Sequence, residues 1–94
     1  MKVGKFTNIE ANTTATVVSP VSCVLMKVII NTIGATGNIL TIYDNASAAS
    51  GTVVATIDTT IAGAPVREFN CILQNGCTVS LTPGTAAKIT IVTD

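Results

Sequence analysis

The chain has no histidine and no tryptophan, one tyrosine and two phenylalanines, and only five basic and five acidic residues among 94. Each scarcity removes a class of function. Without histidine there is no imidazole to shuttle protons or ligate a metal, and neither a Ser/His/Asp nor a Cys/His arrangement can be assembled within one chain. The basic residues Lys2, Lys5, Lys27, Arg67 and Lys88 are scattered, so the clustered cations that a phosphate backbone requires are missing and no nucleic-acid partner is expected. The longest apolar run, residues 21–30, contains Lys27 and is about half the length that spans a bilayer. A soluble chain without a membrane partner is expected. The basic opening Met1–Phe6 is followed by mostly polar residues rather than the apolar core of a leader, and no secretion route is implied.

The remaining polar chemistry is sparse. Of the carboxylates Glu10, Asp44, Asp58, Glu68 and Asp94, only Asp44 and Asp58 lie close to strand ends where two loops could converge, and there capping a turn is the ordinary role of Asp. Asp44, Asn45 and Ser47 would offer hard oxygen ligands to calcium, but lack the charge density of a dedicated loop. No metal, cofactor or catalytic residue is expected, and the chain is read as a non-enzyme. Tyr43 and Phe6 are isolated aromatics, better suited to core or rim packing than to stacking a sugar or base. Three cysteines cannot all pair internally. Free, mostly buried thiols are expected, consistent with synthesis in a reducing cytoplasm.

What the chain has in abundance is Val, Ile and Thr between closely spaced turn residues. These side chains are stiff at χ1 and suit a pleated surface. Turn signals at 12–14, 19–20, 34–38, 44–51, 62–65, 74–76 and 82–85 cut the sequence into strand-sized pieces. Eight strands are predicted, over residues 2–9, 14–19, 21–33, 38–44, 52–59, 66–73, 77–82 and 87–93. Alternation sets Leu40 and Ile42 on one face, as it does Val53, Ala55 and Ile57; Phe69, Cys71 and Leu73; Cys77, Val79 and Leu81; and Ile89 and Ile91. The opposite faces are rich in Thr and nearly uncharged. A three-residue loop, Gln74–Gly76, with Gly76 in the left-handed region, would close a hairpin pairing Leu73 with Cys77, Cys71 with Val79 and Phe69 with Leu81. That register makes Cys71 and Cys77 diagonal neighbours, too far apart for a disulfide. Pro83 and Gly84 fit the two central positions of a type II turn.

The third piece is the most telling. Val24, Met26, Val28 and Ile30 occupy one side of it, and Cys23, Leu25 and Ile29 the other, broken only by Lys27. A single small domain offers one core, so the second apolar side calls for a partner. Zero net charge and a mean hydropathy of +0.62 point the same way, since a free monomer usually keeps a net charge of about 2 to 8.

The segment Leu40 to Asp58 has a strand ending in Tyr43-Asp44, a small-residue loop closing on Gly51-Thr52, and a strand ending at Asp58. With Phe69–Val79 and Thr85–Val92, it resembles a family of small virion proteins of tailed bacteriophages. The resemblance implies a capsid decoration or cement protein with a jelly-roll-like sandwich. It implies a homo-oligomer, a trimer, on the capsid surface of the virion, seated over junctions of the major capsid protein. The strands themselves predict an all-β fold, an antiparallel β-sandwich of about eight strands forming a single domain over residues 1–94. Its interface is expected on Cys23, Leu25 and Ile29, on residues 1–12 as an N-terminal arm carrying Phe6 and Ile9, and on the Asp44–Gly51 loop with Tyr43, Asp44 and Asn45. The alternatives are a receptor- or glycan-binding module of a head or tail fibre, and a tail tube or completion component.

Overall fold

Eight strands form between the turn residues in a computed structural model of the chain, which describes residues 4–60, 66–82 and 84–94. They are β1 (Lys5–Ile9), β2 (Thr13–Ser19), β3 (Cys23–Thr32), β4 (Ile39–Tyr43), β5 (Val53–Asp58), β6 (Val66–Leu73), β7 (Cys77–Thr82) and β8 (Lys88–Thr93). Among the described residues there is no helix, and so none long and apolar enough to cross a membrane. Residues 2–3 of the predicted first strand, the predicted turn at 62–65 and Pro83 lie outside the described residues. Gly84 has φ of 76°, the value the second central position of a type II turn requires.

The strands build two antiparallel sheets, ordered β1-β8-β3-β6 and β2-β7-β4-β5. First pairs with last, second with seventh, third with sixth and fourth with fifth, so the chain is a long two-stranded ribbon rolled until β3 meets β8 and β4 meets β7. This is the strand order of a jelly roll. Only the β4–β5 connection stays within a sheet; every other connection crosses the sandwich.

That crossing overturns the predicted Gln74–Gly76 hairpin. Leu73 pairs with Cys23 and Cys77 with Ser19, because β6 and β7 belong to different sheets. Alternation reports which face is apolar, and two strands facing each other across a core satisfy it as well as two lying side by side. Gly76 has φ of 149°, positive but far from the helical left-handed value of a bulge glycine. A Cβ there would stand 2.6 Å from the Ser19 carbonyl oxygen and 2.8 Å from Ala46 Cα, so positive φ and close backbone approach together call for glycine.

The core holds Leu25, Val28 and Ile30 from β3, Ile89 and Ile91 from β8, Leu40 and Ile42 from β4, Val79 and Leu81 from β7, together with Ile9, Ile57 and Leu73. In β5 a register shift near Tyr43 leaves Val53 half exposed while Val54 packs against the core, so the predicted inward set of that strand holds only for Ala55 and Ile57.

β3 carries the decisive irregularity. Its pairing with β8 runs from Leu25↔Thr93 to Lys27↔Val92, leaving Met26 without a partner position. This is a β-bulge, which advances one strand by a residue and reverses its alternation. Cys23 and Leu25 point inward before it, and Val28 and Ile30 point inward after it. The matching shift against β6 falls at Asn70 and Phe69; Asn70 takes φ of 52°, a conformation Asn tolerates better than most residues. The strand is apolar on both sides because its two halves bury opposite sides.

Candidate interaction surfaces

The outer face of the β1-β8-β3-β6 sheet can be read from the register. One row runs Phe6, Val92, Lys27, Glu68; the next runs Asn8, Thr90, Ile29, Val66; a third joins Val24 to Ile72. Met26 belongs to the same face: its Sδ and Val92 Cγ1 lie 3.2 and 2.9 Å from where a Cβ on Gly4 would stand. Phe6 is 71% and Ile72 70% exposed, and Val66 is half exposed. Lys27 and Glu68, direct cross-strand partners, place opposite charges side by side in this apolar field. Asn31 Nδ2 donates to Thr90 Oγ1 (2.8 Å) and Thr90 Oγ1 to Asn8 Oδ1 (2.7 Å), a polar ladder across β3, β8 and β1.

The other outer face is different. Its rows are Thr82, Ile39, Asp58; Ser80, Thr41, Thr56; and Val17, Thr78, Tyr43, Val53. Hydroxyls dominate it, as alternation predicts.

Several expected interface residues are corrected by this geometry. Cys23, Leu25 and Ile9 are 6%, 0% and 5% exposed and lie in the core, out of a neighbour's reach; the bulge puts Cys23 and Leu25 there. Ile29 is half-buried on the outer face and Phe6 is fully presented. Lys5–Ile9 is a strand paired along its length with β8 rather than an arm. Tyr43 is half-buried on the hydroxyl-rich face. Val24, Met26, Ile72 and Val92 share that outer face and were not among the expected residues. Ile72 had a readable signal: with Val66 it is apolar on an outward series that otherwise holds Glu68, Asn70 and Gln74.

The Asp44–Gly51 loop is organised by its own side chains. Asn45 Oδ1 accepts from the amides of Ser47 and Ala48, both at 2.9 Å, and Asn45 Nδ2 donates to Ser50 O at 3.2 Å. Asp44 Oδ1 accepts from Asn75 N (2.8 Å) and Asn45 O from Thr78 Oγ1 (2.8 Å). Both residues therefore hold turns together, and the Asx pattern is the expected role of such side chains. Asp58 does likewise: its Oδ1 accepts from Thr60 N and Oγ1, at 2.9 and 2.6 Å, and these bonds lower its pKa. Among the described residues no three Cys, Asp or Glu side chains converge as a metal set.

At the opposite end of the sandwich, Asn38 and Thr59 are both fully buried. Asn38 Oδ1 accepts from Thr59 Oγ1 (2.7 Å) and Ala87 N (3.1 Å), and its Nδ2 donates to Asn12 Oδ1 (3.2 Å). Asn12 Nδ2 in turn donates to Gly84 O. The network ties four connections together. Gly34 lies against it, where a Cβ would stand 2.6 Å from Asn38 Oδ1.

All three thiols are free. Cys23 and Cys77, from opposite sheets, are buried in the core, and Cys71, on the same sheet as Cys23, packs against that core. Burial first, then Cys23, Asp44 and Cys71, raise Cys77 from 9.0 to about 12. Burial also raises Cys23, against a hydrogen bond with Ser19. The predicted side-by-side placement of Cys71 and Cys77 in one sheet is replaced by placement in opposite sheets.

Beside the start of β1, the sandwich opens into a cleft of about 430 Å³, whose walls include Lys5, Phe6, Val18, Pro20, Val21 and Asp94. Val21 is 64% exposed. No protein-family model, curated protein or solved structure matches this chain.

Proposed function

We propose that the chain is a structural protein of a tailed-bacteriophage virion, a capsid decoration or cement protein made in the host cytoplasm. It self-associates and binds the capsid surface over junctions of the major capsid protein, stabilising the head. The observation that carries this reading is the inequality of the two outer faces. One displays Phe6, Ile72, Val66, Ile29, Val24, Met26 and Val92 beside the Lys27–Glu68 pair and the Asn31–Thr90–Asn8 ladder; the other is mostly Thr, Ser and Tyr, with Val17 and Val53 as its exposed apolar side chains. A jelly roll buries its core without the outer apolar face, so that face is surplus to folding and suits contact with a large surface. At about 25 cal/mol per Å² of buried apolar area, each contact is modest. Repetition over a shell makes the sum large.

The test is binding of the purified chain to capsids of the phage that encodes it, read by co-sedimentation and electron microscopy. The reading expects regular density at capsomer junctions and a higher temperature of head rupture, both lost with Ile72→Lys. Binding confined to tails, six-fold rings on the tube, or no binding to expanded heads would overturn it.

A further inference from the structure

We propose that β1 is a docking edge for a second copy of this chain, the two β1 strands pairing antiparallel about a two-fold axis at Thr7. The sandwich has four edge strands, β1 and β6 in one sheet and β2 and β5 in the other. Three of them are irregular. β2 shifts register twice against β7, and β5 shifts once against β4. β6 shifts once against β3, where Asn70 has φ of 52°. Bulged edges turn their free N–H and C=O groups out of line and resist an incoming strand. β1 runs in unbroken register from Lys5↔Thr93 to Ile9↔Ile89 and contains no proline.

A further feature fits a second copy. Antiparallel pairing about Thr7 sets Lys5 opposite Ile9 of the second copy, both on the inner side of the strand, and brings the two outer-face residues Phe6 and Asn8 together. On the outer face Phe6 comes opposite Asn8 of the second copy and diagonal to its Phe6, within aromatic reach at about 7–8 Å. Phe6 is the most exposed large apolar side chain among the described residues, and Val21 across the adjacent cleft is also open. The product is a continuous eight-stranded sheet that doubles the apolar outer face. Five residues span about 17 Å, too little to bury the roughly 1,000 Å² that a permanent interface clears, so association is concentration dependent. Each contact joins two chains, not the three that the family resemblance implies, and nothing in it depends on a capsid.

Directly opposite residues lie about 4.5–5.5 Å apart at Cβ, near disulfide range. The experiment is therefore Thr7→Cys, oxidised in air with copper-phenanthroline, against Ala48→Cys on the exposed β4–β5 loop and against the parent chain. It is paired with sedimentation of the parent and of Phe6→Lys from about 10 µM to about 1 mM, with circular dichroism to verify folding. The expected result is a covalent dimer several times faster from Thr7→Cys than from either control. The parent mass should rise toward two chains while folded Phe6→Lys stays at one. Equal crosslinking from Thr7→Cys and Ala48→Cys, a parent mass of one chain throughout, or a mass of three chains would overturn it.

Discussion

Leu25 and Val28 are three positions apart on one strand, yet both are fully buried in the same core. An unbroken strand would put them on opposite faces. Met26, the extra residue against β8, brings them to one side. Leu25→Ala is expected to cost about 2–5 kcal/mol and Val28→Ala about 2 kcal/mol, while the half-buried Ile29 loses less on the same change. Urea unfolding of the three variants checks this. An Ile29→Ala penalty exceeding that of Val28→Ala would mean the strand runs without the bulge.

Gly76 and Gly37 separate close approach from backbone conformation. Both have positive φ, 149° and 88°, but a Cβ at Gly37 meets nothing within 4 Å, whereas at Gly76 it meets backbone. Gly37→Ala should cost about 1–2 kcal/mol, the penalty of left-handed backbone. Gly76→Ala should cost more, about 3 kcal/mol or above, because strain at a special backbone position adds to overpacking. Thermal unfolding midpoints would rank them, and equal losses would contradict the contact at Ser19 and Ala46.

The Asn38 network predicts an asymmetry. Asn38→Ala strips the acceptor from the buried Ala87 N, while Thr59 Oγ1 keeps the Asn38 carbonyl, for a loss of about 2–3 kcal/mol. Thr59→Val removes one donor and leaves Asn38 Oδ1 with Ala87 N, for about 1 kcal/mol. Chemical denaturation of the two variants tests the ordering.

Cys77 makes stability depend on alkaline pH. Its thiol is held neutral in the fold, with a pKa raised from 9.0 to about 12, while in the unfolded chain it ionises near 9. The unfolded state therefore releases the proton first. Stability is fully present below pH 9 and declines as pH rises toward 12, by up to about 1.4 kcal/mol per pH unit. Cys23 is shifted in the same direction. Denaturation midpoints at pH 8 and pH 10.5 should differ, and Cys77→Ala should reduce the difference. An aromatic disulfide reagent at pH 8 should find Cys77 only after urea is added.

Strand boundaries were legible because Val-, Ile- and Thr-rich pieces alternate with Asn, Gly, Pro and Asp, and local chemistry alone specifies such turns. The inward residues of β4, β7 and β8 followed from period-two alternation. The partner of each strand did not. Cys77, Val79 and Leu81 needed apolar neighbours, and the sequence had no means of saying whether these lay beside them in a sheet or across the core. The interface residues Cys23 and Leu25 failed for a related reason: alternation assumes an uninterrupted strand, and the bulge at Met26 is fixed by three strands at once.

Sequence by itself determined an all-β chain of eight short strands, a Thr-rich surface and the absence of imidazole chemistry, because these depend on residue type and near neighbours. Tertiary structure decided the jelly-roll order, the burial of Cys23 and Leu25, the exposure of Phe6 and Ile72, and the placing of Cys71 and Cys77 in opposite sheets. Those depend on which distant segments pair, as β1 does with β8, and the cost of closing such long loops is repaid only by packing of the whole sandwich.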